Sequence, residues 1–103
     1  MIDITPVAAG QILASAREGG MEGLSLRIAI ERREDGRFHY VMGFDEHPRE
    51  GDQTFESAGV PVVMDPVSIG LGQGMMLDFV ELDGRMEFIF LNPNDPGYRP
   101  PAD

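Results

Sequence analysis

Leu24-Ser25-Leu26-Arg27-Ile28-Ala29-Ile30 is followed, after Glu34-Asp35-Gly36, by Phe38-His39-Tyr40-Val41-Met42-Gly43-Phe44. In the first run Leu24, Leu26, Ile28 and Ile30 alternate with Ser25, Arg27 and Ala29. In the second, Phe38, Tyr40, Met42 and Phe44 share one side, with His39 and Val41 on the other. Successive strand side chains point to opposite faces, so a period of two is the mark of a half-buried strand. Asp-Gly between two such runs signals a hairpin turn. The stretch predicts a β-hairpin with one apolar face.

A second hairpin follows from the same reasoning. Met75, Leu77 and Phe79 alternate, Asp83-Gly84 turns the chain, and Met86, Phe88 and Phe90 alternate back. Between the hairpins, Asp45 to Asp52 reads as a polar loop and Gln53 to Glu56 as a short strand. Val60 to Met64 is a clearer strand, and Pro61 suggests that it starts at a sheet edge. Asp65-Pro66 is a cap followed by a proline that needs no helical donor, which predicts a short helix over Val67 to Leu71. Gly70, Gly72 and Gly74 keep it short.

Towards the N-terminus, Thr5-Pro6 repeats the cap-plus-proline signal. Val7, Ala8, Ile12, Leu13 and Ala16 fit one helical face, and Gly19-Gly20 ends the helix. Two hairpins with one apolar face each must be covered. Packing them on each other and on the helix predicts an α+β, strand-rich domain with two sheet layers. The domain is expected over residues 1–94. Residues 95–103, with Pro96, Gly97, Pro100 and Pro101, are expected to form a disordered tail.

The 103 residues are 42% hydrophobic and 25% charged, an ordinary globular balance. Eighteen acidic against eight basic residues give a net charge of −10. Such a field repels phosphates and anionic membranes, so neither nucleic acid nor membrane is an expected partner. Arg32, Arg33 and Arg37 form a local basic patch that neighbouring carboxylates dilute. No apolar run approaches the roughly 18 residues that span a bilayer, and no signal sequence is evident. A soluble, cytoplasmic protein is expected. The absence of cysteine excludes disulfides, thiolate metal sites and cysteine nucleophiles.

Few residues suggest chemistry. His39 and His47 with Asp45 or Glu46 are the residues that could combine at a metal, since imidazole and carboxylate suit borderline ions, but no known ligand spacing is matched. The competing view is a solvated loop beside an unrelated histidine. Asp35 precedes a glycine in a turn, which explains it without a ligand role. Met42, Met75 and Met86 fall on apolar faces and read as core. Met76, on the opposite face, is the better candidate for contact with a partner. Gly70-Leu71-Gly72-Gln73-Gly74 lacks the lysine and long helix of a phosphate loop. Ser15, Ser25, Ser57 and Ser68 lack a nucleophile-elbow setting. No catalytic, cofactor-binding or metal residue is assigned, no cofactor is expected, and no acid/base pair supports an enzyme.

Several strings resemble the HesB/IscA-like family of A-type iron–sulfur carriers. They are Leu26-Arg27-Ile28, Tyr40, Val62-Val63-Met64-Asp65 with Ser68, Leu77-Asp78-Phe79, and Phe88-Ile89-Phe90-Leu91-Asn92-Pro93-Asn94. The last is the most specific. The resemblance spans residues 1–94 and implies a mixed two-layer β fold with flanking helices. It also implies that the family's chemistry resides in three cysteines: one in a Gly-Cys-Ser-Gly string, two in a Cys-Gly-Cys near the C-terminus. Here the first string corresponds to Glu34-Asp35-Gly36-Arg37, which puts Asp35 at the first ligand position. Arg99 and Pro101 fall at or near the other two. Neither side chain can donate a lone pair to a metal.

This pattern is similar to a cysteine-free branch of A-type proteins, of the DsrR kind, encoded with the reverse dissimilatory sulfite reductase of sulfur-oxidising bacteria. That resemblance implies an accessory or regulatory role in sulfur oxidation, through contacts with a protein of sulfur metabolism or iron–sulfur assembly. Iron or cluster carriage on non-cysteine ligands is the alternative. Without a shared cluster to drive assembly, a monomer is expected.

Overall fold

The computed structural model describes residues 2–98. Its elements run β1 (Asp3–Ile4), α1 (Pro6–Glu18), β2 (Ser25–Arg32), β3 (Phe38–Asp45), β4 (Gln53–Ser57), β5 (Val60–Met64), α2 (Pro66–Leu71), β6 (Met76–Leu82) and β7 (Arg85–Leu91). Four strands form one sheet in the order β3-β2-β5-β4, and three form the other in the order β1-β6-β7. Both sheets are mixed. β2 pairs parallel with β5 and β1 parallel with β6, while the remaining neighbours are antiparallel. The strand-rich α+β architecture with two layers and two helices is thus the one expected.

The periodicities mark the core. Leu26, Ile28 and Ile30 of β2 are buried, and they join one core with Val60, Val62 and Met64 of β5, Met75 just before β6, and Leu77 of β6. α1 starts where Thr5 Oγ1 accepts the Ala8 amide at 3.2 Å, and the same hydroxyl donates to Asp78 on β6 at 2.7 Å. One residue thus caps the helix and sets it on its sheet. The helix buries Ala8, Ala9, Ile12 and Ala16. Val7, expected on that face, is 60% exposed, and Ala9 takes its place. α2 is capped by Asp65, which accepts from the Ser68 amide at 3.1 Å. Buried Ser68 then accepts the Ile30 amide at 2.9 Å, satisfying a donor of β2 beyond its short pairing with β5.

Three expectations need correction. β5 lies inside its sheet, not at an edge. Pro61 is tolerated because pairing with β2 starts only at Val62. Met86 is 52% exposed: it lies opposite Glu81, next to the Asp83-Gly84 turn, where the β6–β7 hairpin overhangs the core. Of the tail expected to be disordered, the described part forms a turn, with the Tyr98 amide donating to Asp95 O at 2.9 Å. Residues 99–103 lie outside the described residues.

Candidate functional site

The turn that holds Asp35 lies beside the start of the tail. A Cβ placed on Gly36 would stand 3.9 Å from Pro96 Cγ, and one on Gly97 would stand 3.8 Å from Arg37 Cγ and Cδ. The β2–β3 turn and the start of the tail therefore form one surface. The turn closes through Arg33 N to Arg37 O at 2.8 Å and Gly36 N to Arg33 O at 2.9 Å. Gly36 has φ +87°, a backbone conformation that favours glycine. Asp35 Oδ1 accepts the Arg37 amide at 2.9 Å. Its carboxylate serves its own turn, as the Asp-Gly reading anticipated. Arg99 and Pro101 lie outside the described residues.

Asp95 organises the other half of this surface. Its carboxylate accepts from the Gly97 amide at 2.9 Å, the Tyr40 hydroxyl at 2.9 Å and the Phe38 amide at 3.3 Å. Burial alone would raise its pKa, but these donors prevail and hold it below the usual carboxylate value. Tyr40 is pushed up, first by burial and then by its bond to Asp95. The Tyr40 ring stacks on Phe90 of the other sheet, with centroids 4.6 Å apart and planes 3° from parallel. Sequence reasoning missed Asp95. Its signal was Asp-Pro-Gly, whose turn chemistry was read only as disorder.

The Asn92-Pro93-Asn94 string has a structural task. Asn92 is 1% exposed and donates Nδ2 to Leu71 O at 2.9 Å. Asn94 Nδ2 reaches Leu71 O at 3.1 Å and Gln73 O at 2.7 Å. Together they satisfy carbonyls at the C-terminal end of α2, and Gly70 to Gly74 is that end and its turn.

The histidines do not converge. His39 is at the start of β3, where Arg33 approaches its Nδ1 at 2.8 Å. His47 is beyond the far end of the same strand. Asp45 accepts the His47 amide at 2.8 Å and is held by Arg27. Among the described residues, no group of three or more His, Cys, Asp or Glu is placed to hold a metal. Sequence reasoning also missed Arg27, a charged residue between the buried Leu26 and Ile28 of β2. Its guanidinium bonds to Asp45 and, through Nη1 at 3.0 Å and Nη2 at 2.5 Å, to both oxygens of Asp52. Hydrogen bonds from Arg27 depress both carboxylates, Asp52 to about 2. The fork pins the Asp45–Asp52 loop to the sheet.

Among the described residues, this surface offers hydrogen-bonding groups and arginines, with no soft donor. Of the methionines, Met75 is buried and Met42 packs partly buried against the core, whereas Met76 is 40% exposed. No described helix is long and apolar enough to cross a membrane.

Comparison with known proteins bears on the fold just described. A protein of Aquifex aeolicus is 38% identical over 94 residues, covering 91% of this chain and 81% of that one. The iron-sulfur cluster insertion protein ErpA of Stenotrophomonas maltophilia is 31% identical, covering 90% and 72%. The crystal structure of IscA with the [2Fe-2S] cluster superposes with a TM-score of 0.71 at 26% identity, covering 90% and 86%. The model of a family described as iron-sulphur cluster biosynthesis matches residues 1–95, and the chain belongs to that family.

Proposed function

We propose that this chain is a non-catalytic member of its family that holds no iron–sulfur cluster and acts as an accessory or regulatory protein through contacts with another protein. One observation carries the reading. The strings that build the fold are present, yet the 103 residues contain no cysteine. Asp35, at the first ligand position that the resemblance implies, spends its carboxylate on its own turn. Thiolates suit iron–sulfur clusters because both are soft, and an arginine or proline side chain offers nothing in their place. The resemblance to the cysteine-free branch supports a role in sulfur oxidation, in the cytoplasm, with a partner from sulfur metabolism or iron–sulfur assembly.

The competing reading is a carrier of iron or a cluster on histidine and carboxylate ligands. It is supported by the likeness to ErpA and IscA. An anaerobic titration of isotope-labelled protein with ferrous iron and sulfide separates the two. Unchanged visible absorbance and amide spectra are expected. Cluster absorbance with shifts at His39, His47 or Asp45 would overturn the proposal in favour of the carrier.

A further inference from the structure

β4 is an outer strand of the larger sheet, and its free edge lies beside a cavity. Ala58 and Gly59, at φ +51° and +84°, form a two-residue turn that closes β4 on β5 with Ser57 opposite Val60. Counting back from that pair, Ser57, Phe55 and Gln53 direct their backbone groups to β5, and Glu56 and Thr54 direct theirs away. Pro61 agrees, since it lacks an amide and lies opposite Glu56. Among the described residues, no loop, turn or side chain bonds these outward groups.

β1 is the neighbouring edge of the smaller sheet. Asp3 N donates to Met75 O at 2.9 Å and Thr5 N to Leu77 O at 3.0 Å, so Ile4 turns its backbone away from β6. Its amide reaches Ser57 Oγ at 2.9 Å. Beside that contact the two edges leave a cavity of about 210 Å³, with Ile2, Phe55 and Ile69 as its apolar wall. All three belong to the core or pack on it, so an apolar occupant extends the core. An engineered cavity of about 150 Å³ takes up benzene, so one leucine or phenylalanine side chain has room here.

Charge and backbone together point to the occupant. Asp3 and Glu56 also line the cavity, and both are exposed. The ion pairs among the described residues are both made by Arg27, so neither carboxylate has one. No lysine, arginine or histidine lines the cavity. The rim therefore favours a cation and disfavours an acidic surface, a second copy of this chain with its net charge of −10 included. A free edge next to a pocket for one side chain is how sheets take up extended peptides. The main chain supplies affinity, and the pocket selects the side chain.

We propose that an extended segment of a partner protein adds to the β4 edge, placing one apolar side chain in the cavity and a lysine or arginine beside Asp3 and Glu56. The inference deepens the proposed role through protein contacts and rests on it. Glu56, an edge charge that repels acidic strands, acts as the selector.

The test titrates the full, isotope-labelled chain with the capped peptide Val-Lys-Leu-Lys-Val and follows amide spectra. Saturable shifts are expected at Ile2, Thr54, Glu56 and Ile69. Alanine in place of the leucine should weaken binding at least roughly tenfold, because the cavity is left unfilled. Glutamates in place of the lysines should abolish it. Glu56→Lys should weaken the lysine peptide and strengthen the glutamate peptide, a change that misfolding does not produce. Thr54→Pro removes an outward amide without touching the β5 ladder and should weaken binding at least roughly tenfold. Glu56→Lys decides the matter alone if the proline variant does not fold. Isopentylamine carries the same alkyl group and charge without a backbone. Binding as tight as the peptide's would overturn the proposal in favour of a small-molecule cavity. An absence of saturable shifts, an alanine peptide that binds equally, or shifts away from β4 would overturn it too. Shifts at Thr54 and Glu56 that grow with protein concentration alone would give the edge to a second copy and reject the proposal. A blank peptide titration beside a blank iron titration rejects this surface and leaves the contact role standing. Cluster formation overturns the contact role, and this docking with it.

Discussion

The Tyr40 hydroxyl donates to Asp95 at 2.9 Å, and through that bond the chain beyond β7 is fastened to a strand of the opposite sheet. Tyr40 also stacks on Phe90. The two contacts join the layers beside the turn that holds Asp35. Asp95→Ala removes three acceptor contacts and should lower stability by about 1–2 kcal/mol. Tyr40→Phe removes one and should cost about 0.5–1.5 kcal/mol. Urea unfolding of both variants and of the double variant measures these losses, and a double loss equal to the sum of the singles would show the bond to contribute nothing.

Arg27 makes stability depend on pH. Asp52 titrates at about 2 when folded against about 3.9 in an unfolded chain. A depressed carboxylate contributes stability that is present above the unfolded value and is lost as pH falls through the folded one. The contribution should be complete above about pH 5 and fade between about 4 and 2. Arg27→Gln should lower the melting temperature at pH 6, and the gap from the parent should close towards pH 2. A gap independent of pH would mean that the fork works through packing alone.

Asn92→Ala strips a buried donor from Leu71 O and a buried acceptor from the Asn94 amide. An unsatisfied buried group costs about 1–3 kcal/mol, and the variant should lose that much in chemical denaturation. Asn94 also reaches Leu71 O, so a loss near zero would show that it compensates fully.

Gly72 is required for space. A Cβ there would lie 2.9 Å from Ile30 Cδ1, 3.1 Å from Ser68 O and 3.2 Å from Ile2 Cδ1. Gly72→Ala should therefore cost about 1–3 kcal/mol. Gly70, in α2 with nothing within 4 Å, is the contrast: Gly70→Ala should be neutral or stabilise by up to about 1 kcal/mol. Thermal melts of the two should move in opposite directions.

Elements whose information is local were legible in the sequence. The alternation of Leu26, Ile28 and Ile30, the caps at Thr5 and Asp65, and Asp83-Gly84 each declare their structure within a few residues. β1 was not legible, because two residues cannot show a period and Asp3 and Ile4 are strand only by lying against Met76 and Leu77. The Ala58-Gly59 turn was hidden because Ala58, at φ +51°, is not a residue that advertises a left-handed backbone. Met86 misled because alternation gives the face of a strand and not how far the core extends along it. At the site, the role of Asp35 was readable from its glycine neighbour. Those of Arg27 and Asp95 were not, since each acts on residues 18 to 57 positions away.

The pairing of Asp3 and Ile4 with Met76 and Leu77 also bears on how the protein is made. α1 follows directly, and its Thr5 is anchored to Asp78. A segment made before all the strands of the larger sheet thus has its seat on a strand made after them. Until β6 emerges, the apolar stripe of α1 has no partner in its own sheet, and closing so long a loop is entropically slow. Docking of β1 and α1 therefore waits for β6, and a nascent chain stalled before Met76 should keep that helix within reach of chaperones.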